Sequence, residues 1–206
     1  MGIPLNTHTG EWKAWEILEG LDPGNVCRNA KVTYDSSLNI YTLNSFDQDI
    51  IISMAGKTID SDSQKSDLLL NKFGDYSRLS ILWYLVNAKD IAFTHKLLRP
   101  ADLKGGNIYS KGTHVLPLDR ISDKNGSDTE GFLKRGMEIG GEILNYGDAS
   151  LRLFPLPRVP VTIIVWKGDE EFSPRSDLLF DSTCEHHLPV DIIWSTAMMS
   201  VLVMLS

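Results

Sequence analysis

Residues 149–180 read "ASLRLFPLPRVPVTIIVWKGDEEFSPRSDLLF". Three short apolar runs lie in this stretch, at 150–154, 161–166 and 177–180. "PLPRVP" and "KGDEEFSPRS" separate them. Runs of this length between Pro- and Gly-rich breaks predict strands. "VTIIVW" has no polar alternation, so both of its faces need cover. It is therefore expected in the middle of an antiparallel sheet, between the other two strands.

Downstream, a helix is expected from about Pro189, where Pro suits a first turn and Asp191 suits its positive end. Residues 192–205 contain three polar side chains, Ser195, Thr196 and Ser200. The run is too short for a membrane span. It is expected as a core helix, with a dimer-interface helix as the alternative. Upstream, 129–143 predicts a helix ending near Gly140-Gly141, and 99–127 reads as irregular. Residues 76–88 predict a buried helix, and "SDSQKS" (61–66) a polar loop. From 31 to 59, "KVTY", "NIYTL", "QDIIIS" and "KTI" predict an antiparallel meander. A helix is expected over 9–20, where Trp12, Trp15 and Leu18 recur at helical spacing, and "GLDPGN" then breaks the chain.

Strands and helices thus come in blocks, which predicts an α+β class. The expected architecture is antiparallel sheets with flanking helices and a buried C-terminal helix. One domain over 1–206 is expected, in which 31–60 can form a small N-terminal β lobe. With 42% hydrophobic residues the chain can bury a core without disulfide or metal support. A net charge of −7 and scattered Lys and Arg argue against nucleic acid as a partner. Cys27 and Cys184 form no CxxC, so neither a disulfide framework nor an all-cysteine metal site is expected. The N-terminal residues lack a basic stretch followed by an apolar run, and Asn6 stands where a myristoylation signal needs Ser or Thr. A cytoplasmic protein without a membrane partner is the expectation.

Four groups could carry chemistry. Asp169, Glu170 and Glu171 follow a buried strand; with Asp177 and Asp181 they could offer oxygen ligands to a hard cation, or form a solvated turn. "FDSTCEHHLP" places Cys184 and His186 at a spacing two ligands of a borderline metal can use. Two more ligands would have to come from His114, His95, His8 or Cys27. The alternative is a buried Cys184 with histidines leading into the last helix. "GGNIYSKGTHVLPL" (105–118) offers Tyr109, Ser110, Lys111, Thr113 and His114, the last able to titrate near neutrality. It lacks the phosphate-loop pattern. Arg158 sits between prolines, a rigid mount suited to recognising an anion or cofactor, or to an internal bridge with Asp169 or Asp148. The candidate catalytic residues are therefore His114, Asp169, Glu170 and His186. Tyr109, Lys111 and Arg158 are the candidate cofactor-binding residues. Asp169, Asp181, Cys184 and His186 are the candidate metal ligands.

Several of these residues also carry a resemblance. Gly140, Gly141, Gly147-Asp148, "LPRVP" (156–160), "GDEEF" (168–172), "LFD" (179–181) and an "H-x-LP" beginning at His186 are similar to the pattern of a prokaryotic family, domain of unknown function 3786. The likeness is weakest before residue 60. The resemblance implies a setting in anaerobic bacteria and archaea, beside iron–sulfur, corrinoid and one-carbon proteins. This chain has no cysteine-rich segment, and its last helix reads "LPVDI" where the family reads "LPTED", so one acidic position is missing. Three functions are expected in turn. The first is an accessory or binding protein for a cofactor or metalloprotein partner in anaerobic, corrinoid- or one-carbon-type metabolism. The second is a small metal-dependent or acid–base hydrolase-like enzyme. The third is an interaction module that forms a homodimer.

Overall fold

The computed structural model describes residues 7–61, 67–106 and 114–206. Helix α1 (Thr7–Glu19) is followed by α2 (Pro23–Ala30). "GLDPGN" is more than a break. The Asp22 carboxylate accepts from the Asn25 N–H at 2.8 Å, and Pro23 occupies the first turn, where no N–H is needed. A meander follows, of β1 (Thr33–Asp35), β2 (Ile40–Ser45), β3 (Gln48–Ser53) and β4 (Thr58–Asp60), paired antiparallel in chain order. The two-residue turn between β2 and β3 is Phe46-Asp47. Both residues have positive φ, 50° and 60°, a conformation that non-glycine residues seldom adopt.

A π-helical turn (Leu68–Lys72) leads into α3 (Gly74–Asn87). An irregular stretch then reaches β5 (Leu97–Leu98) and a 3-10 turn at Pro100–Asp102. Two helices, α4 (Leu118–Asn125) and α5 (Thr129–Met137), precede β6 (Glu142–Leu144). Here the sequence expectation needs two corrections. Part of 99–127 is helical: Ile121, Ser122 and Asn125 of α4 are buried, with one large apolar side chain among them in an otherwise polar segment. The helix begun at Thr129 stops at Met137. Gly140, at φ 74°, reverses the chain, and 142–144 becomes an edge strand.

The last segment supplies β7 (Ala149–Leu156), β8 (Val159–Trp166), β9 (Arg175–Asp181), the one-turn α6 (Cys184–His187) and α7 (Val190–Leu205). The larger sheet has the order β5-β9-β8-β7-β6, all antiparallel, with β8 central as its composition requires. Leu151, Leu153, Val161, Ile163, Leu178 and Phe180 share one face and are buried. α4 and α5 pack on the larger sheet. Gly136 on α5 approaches so closely that a Cβ there would lie 2.1 Å from Leu151 Cδ1. α7 is buried on all sides between α3, α4, α5 and β7. The meander joins the larger sheet at one corner, where the Phe46 N–H donates to Phe154 O at 2.9 Å and the Ser45 hydroxyl to Pro155 O at 2.8 Å.

Candidate functional site

The irregular stretch after α3 is held by three side chains from distant parts of the chain. Arg158, on the turn between β7 and β8, is 8% exposed. Its guanidinium donates to Ile91 O at 3.1 Å and Arg28 O at 3.0 Å, and pairs with Asp90. Its own N–H donates to the Tyr84 hydroxyl, which donates to Ala30 O at 2.8 Å. Asp181, at the end of β9, accepts from the N–H and hydroxyl of both Thr94 and Thr183, and from the His95 N–H at 2.7 Å. Burial opposes its charge, but these bonds outweigh burial and hold the carboxyl below its usual range. His187, fully buried on α6, accepts the Lys89 N–H at Nδ1. Burial, helped by the charge of Arg158, lowers its pKa to about 4.

His187 makes stability depend on pH. Its folded pKa lies below the ordinary value of 6.5, so the unfolded chain binds the proton more readily. Stability is full above pH 6.5 and falls as pH drops toward 4, by about 3 kcal/mol in all. The melting temperature should decline over that window, and His187→Asn, whose side-chain oxygen can still accept from Lys89, should flatten the decline. A wild-type melting temperature unchanged from pH 7 to pH 4.5 would contradict the assignment. Loss of the Asp181 contribution comes lower, as the pH falls through a folded value below 3.8.

The other sequence candidates are spread out. The Asp169 carboxylate accepts the N–H groups of Glu171 and Phe172 at 2.8 and 2.7 Å, and those bonds keep its pKa low. Glu170 and Glu171 point to solvent, and Phe172 is 69% exposed. This turn joins β8 to β9, whereas Asp181 ends β9. Seven residues of strand separate the two by about 20 Å. Cys184 and His186 also fail to meet. Residues two apart on a helix face different ways, so Cys184 is buried while His186 is exposed. Burial, with Glu185 nearby, raises the Cys184 thiol to about 12, which disfavours the thiolate a metal needs. His114 packs edge-on to Trp194 of α7 at 4.9 Å, and its carbonyl accepts the indole N–H. His114 lies four residues ahead of α4, and the acidic turn lies toward the other end of that helix, where Pro174 meets Gly126. Asp169 therefore stands apart from Asp181, and the Asp169–Glu170 turn apart from His114. Among the described residues no group of three His, Cys, Asp or Glu is arranged to hold a metal ion. Arg158 bridges to Asp90 rather than to Asp148 or Asp169, because its turn lies at the opposite end of β8 from both. Tyr109, Ser110, Lys111 and Thr113 lie outside the described residues.

A cavity of about 350 Å³ opens where the meander meets α5 and α7. Phe46, Leu68, Leu69, Ile139 and Val203 form its apolar wall. Gln48, Arg135 and Glu138 supply its polar groups. Two backbone irregularities line it, the left-handed Phe46 and the π-helical Leu68 and Leu69. Such features cost energy and gather at functional sites. Sequence reading passes over this place, since its walls come from residues near 46, 68, 135 and 203, with no common local signature.

The model of a family described as a domain of unknown function, DUF3786, matches residues 22–202. The chain belongs to the DUF3786 family. No curated protein and no solved structure matches it. In this DUF3786 chain the residues that carried the sequence resemblance have structural work. Gly147, at φ 58°, passes so near Ile164 that a Cβ would lie 2.6 Å from its side chain. Asp148 accepts the Lys167 N–H, Arg158 and Asp181 grip the stretch after α3, and Asp169 closes its own turn. The buried histidine of the DUF3786 "H-x-LP" segment is His187, one residue beyond the position read from sequence.

Proposed function

We propose that this chain is a binding protein with an accessory role, and that its ligand occupies the cavity between the meander, α5 and α7. The observation that carries this reading is the coincidence of cavity and irregular backbone. A roughly 350 Å³ space, mostly apolar with a few polar groups, has the character of a small-molecule site. Its wall includes the left-handed Phe46 and the π-helical Leu68 and Leu69. The resemblance adds a metabolic setting, in which a cofactor or metalloprotein partner of anaerobic one-carbon chemistry is served in the cytoplasm. The hydrolase-like alternative has less support, because the Asp169–Glu170 turn and His114 lie toward opposite ends of α4.

Native mass spectrometry of anaerobically purified protein tests the reading. A retained small molecule is expected, and it should be lost in Leu68→Trp, where a half-buried wall residue grows into the space. A ligand that survives this substitution, in a protein that remains folded, would refute the placement.

A further inference from the structure

Two connections leave the same end of the larger sheet, 145–148 between β6 and β7 and 167–174 between β8 and β9. They are tied together. The Lys167 N–H donates to the Asp148 carboxylate at 2.8 Å, and Gly147 backs so closely on Trp166 that a Cβ there would lie 3.3 Å from the indole. Around this junction the surface is aromatic. Phe172 is 69% exposed, Tyr146 47%, and Trp166 is half-buried. Arg175, paired with Trp166 across the strands, stands over its ring at 4.7 Å from the centroid, while the indole N–H donates to Asp177 at 2.8 Å. Tyr, Trp, Phe and Arg are the residues enriched where proteins meet, and Trp, Tyr and Arg carry much of the binding energy there. Phe172 is also held in place. The Asp169 N–H donates to Phe172 O at 2.9 Å, and the Asp169 carboxylate accepts the Phe172 N–H. An exposed aromatic on a fixed backbone loses little freedom when a partner covers it.

Charge selects the partner. Residues 145–148 and 166–177 carry five carboxylates against two cations. Asp148, Asp169 and Asp177 are engaged inside the protein, whereas Glu170 and Glu171 face solvent beside Phe172. An anionic partner is repelled here and a cationic one drawn in. The stacking of Arg175 on Trp166 shows which cation suits such a surface. A guanidinium lies flat over an aromatic ring and keeps its fork for carboxylates, whereas an ammonium is a strongly hydrated point charge. Two projecting turns offer faces rather than an enclosure, which suits an extended segment.

We propose that this end of the larger sheet docks a cationic, arginine-bearing segment of a partner protein, whose guanidinium groups cover Phe172 and Tyr146 and pair with Glu170 and Glu171. The docking surface does not depend on the cavity between the meander, α5 and α7.

Octaarginine, octalysine and octaglutamate, titrated into the isotope-labelled full chain at physiological salt and followed by NMR, test this. Octaarginine should move the amide signals of 145–148 and 167–173 before all others, and should bind severalfold tighter than octalysine. Octaglutamate should not bind. Phe172→Ala should weaken octaarginine about fivefold and erase its lead over octalysine, while Phe172→Trp should keep both. Glu170→Gln combined with Glu171→Gln should weaken both cationic peptides. These positions are exposed, and the same spectra show that the variants keep the fold. Signals moved mainly elsewhere on this acidic chain would overturn the proposal. So would equal affinity for octaarginine and octalysine, Phe172→Ala binding octaarginine as the wild type does, or no binding at millimolar peptide.

Discussion

A chain stopped after Trp194 is expected to be recovered insoluble or unfolded. The missing residues include Met199 and Val201, fully buried, and Met204 and Val203, at 1% and 4% exposure. Burying each such side chain stabilises by about 1.5–3 kcal/mol. Four of them together match the whole stability of a typical domain, about 5–15 kcal/mol. The loss also uncovers the faces of α3, α4 and β7 on which α7 packs, and removes the carbonyls that hold Arg135 and Lys124. Circular dichroism and size-exclusion chromatography of the truncated protein decide the matter. A soluble product that melts where the full chain melts would show that α7 is dispensable. No helix among the described residues is long and apolar enough to cross a membrane, and the burial of α7 accounts for its composition instead.

Arg158→Ala should be the most damaging single substitution of a polar residue. It leaves Ile91 O and Arg28 O without their donor and breaks the pair with Asp90. Hydrogen bonds from a charged donor are worth about 1.5–3 kcal/mol each. A loss near 3 kcal/mol, seen as a fall of roughly 6–12 °C in melting temperature, is expected for a chain of this size. Arg158→Lys should not rescue it, since one ammonium cannot reach three acceptors that a planar fork spans. Asp90→Asn should cost under about 1 kcal/mol, because the Asp90 side chain is half exposed. A melting temperature for Arg158→Ala within about 2 °C of wild type would refute the clamp.

The strands around "VTIIVW" and the last helix could be read from sequence because their burial is nearly complete, and composition reports burial directly. α4 and α2 could not be read that way. Each buries few apolar side chains and is fixed by what packs on it or by a cap such as Asp22. The Arg158 clamp was half legible. Its rigid mount stands in "LPRVP", but its partners are mostly backbone carbonyls, which any residue supplies and no sequence announces. The cavity was not legible at all. Arg135 and Glu138 resemble any charged pair on a helix until Phe46 and Val203 arrive beside them.

The reach of Arg158 also orders events in time. Its bond to Arg28 O closes a separation of 130 residues and its pair with Asp90 one of 68, while β7, β8 and β9 are joined by short connections. Chain closure over long separations is entropically slower than local pairing. The β7–β9 hairpins can therefore assemble while the clamp is still open, and Arg158 locks a sheet that already exists. On that ordering the residue acts as a brake on unfolding more than as an aid to folding.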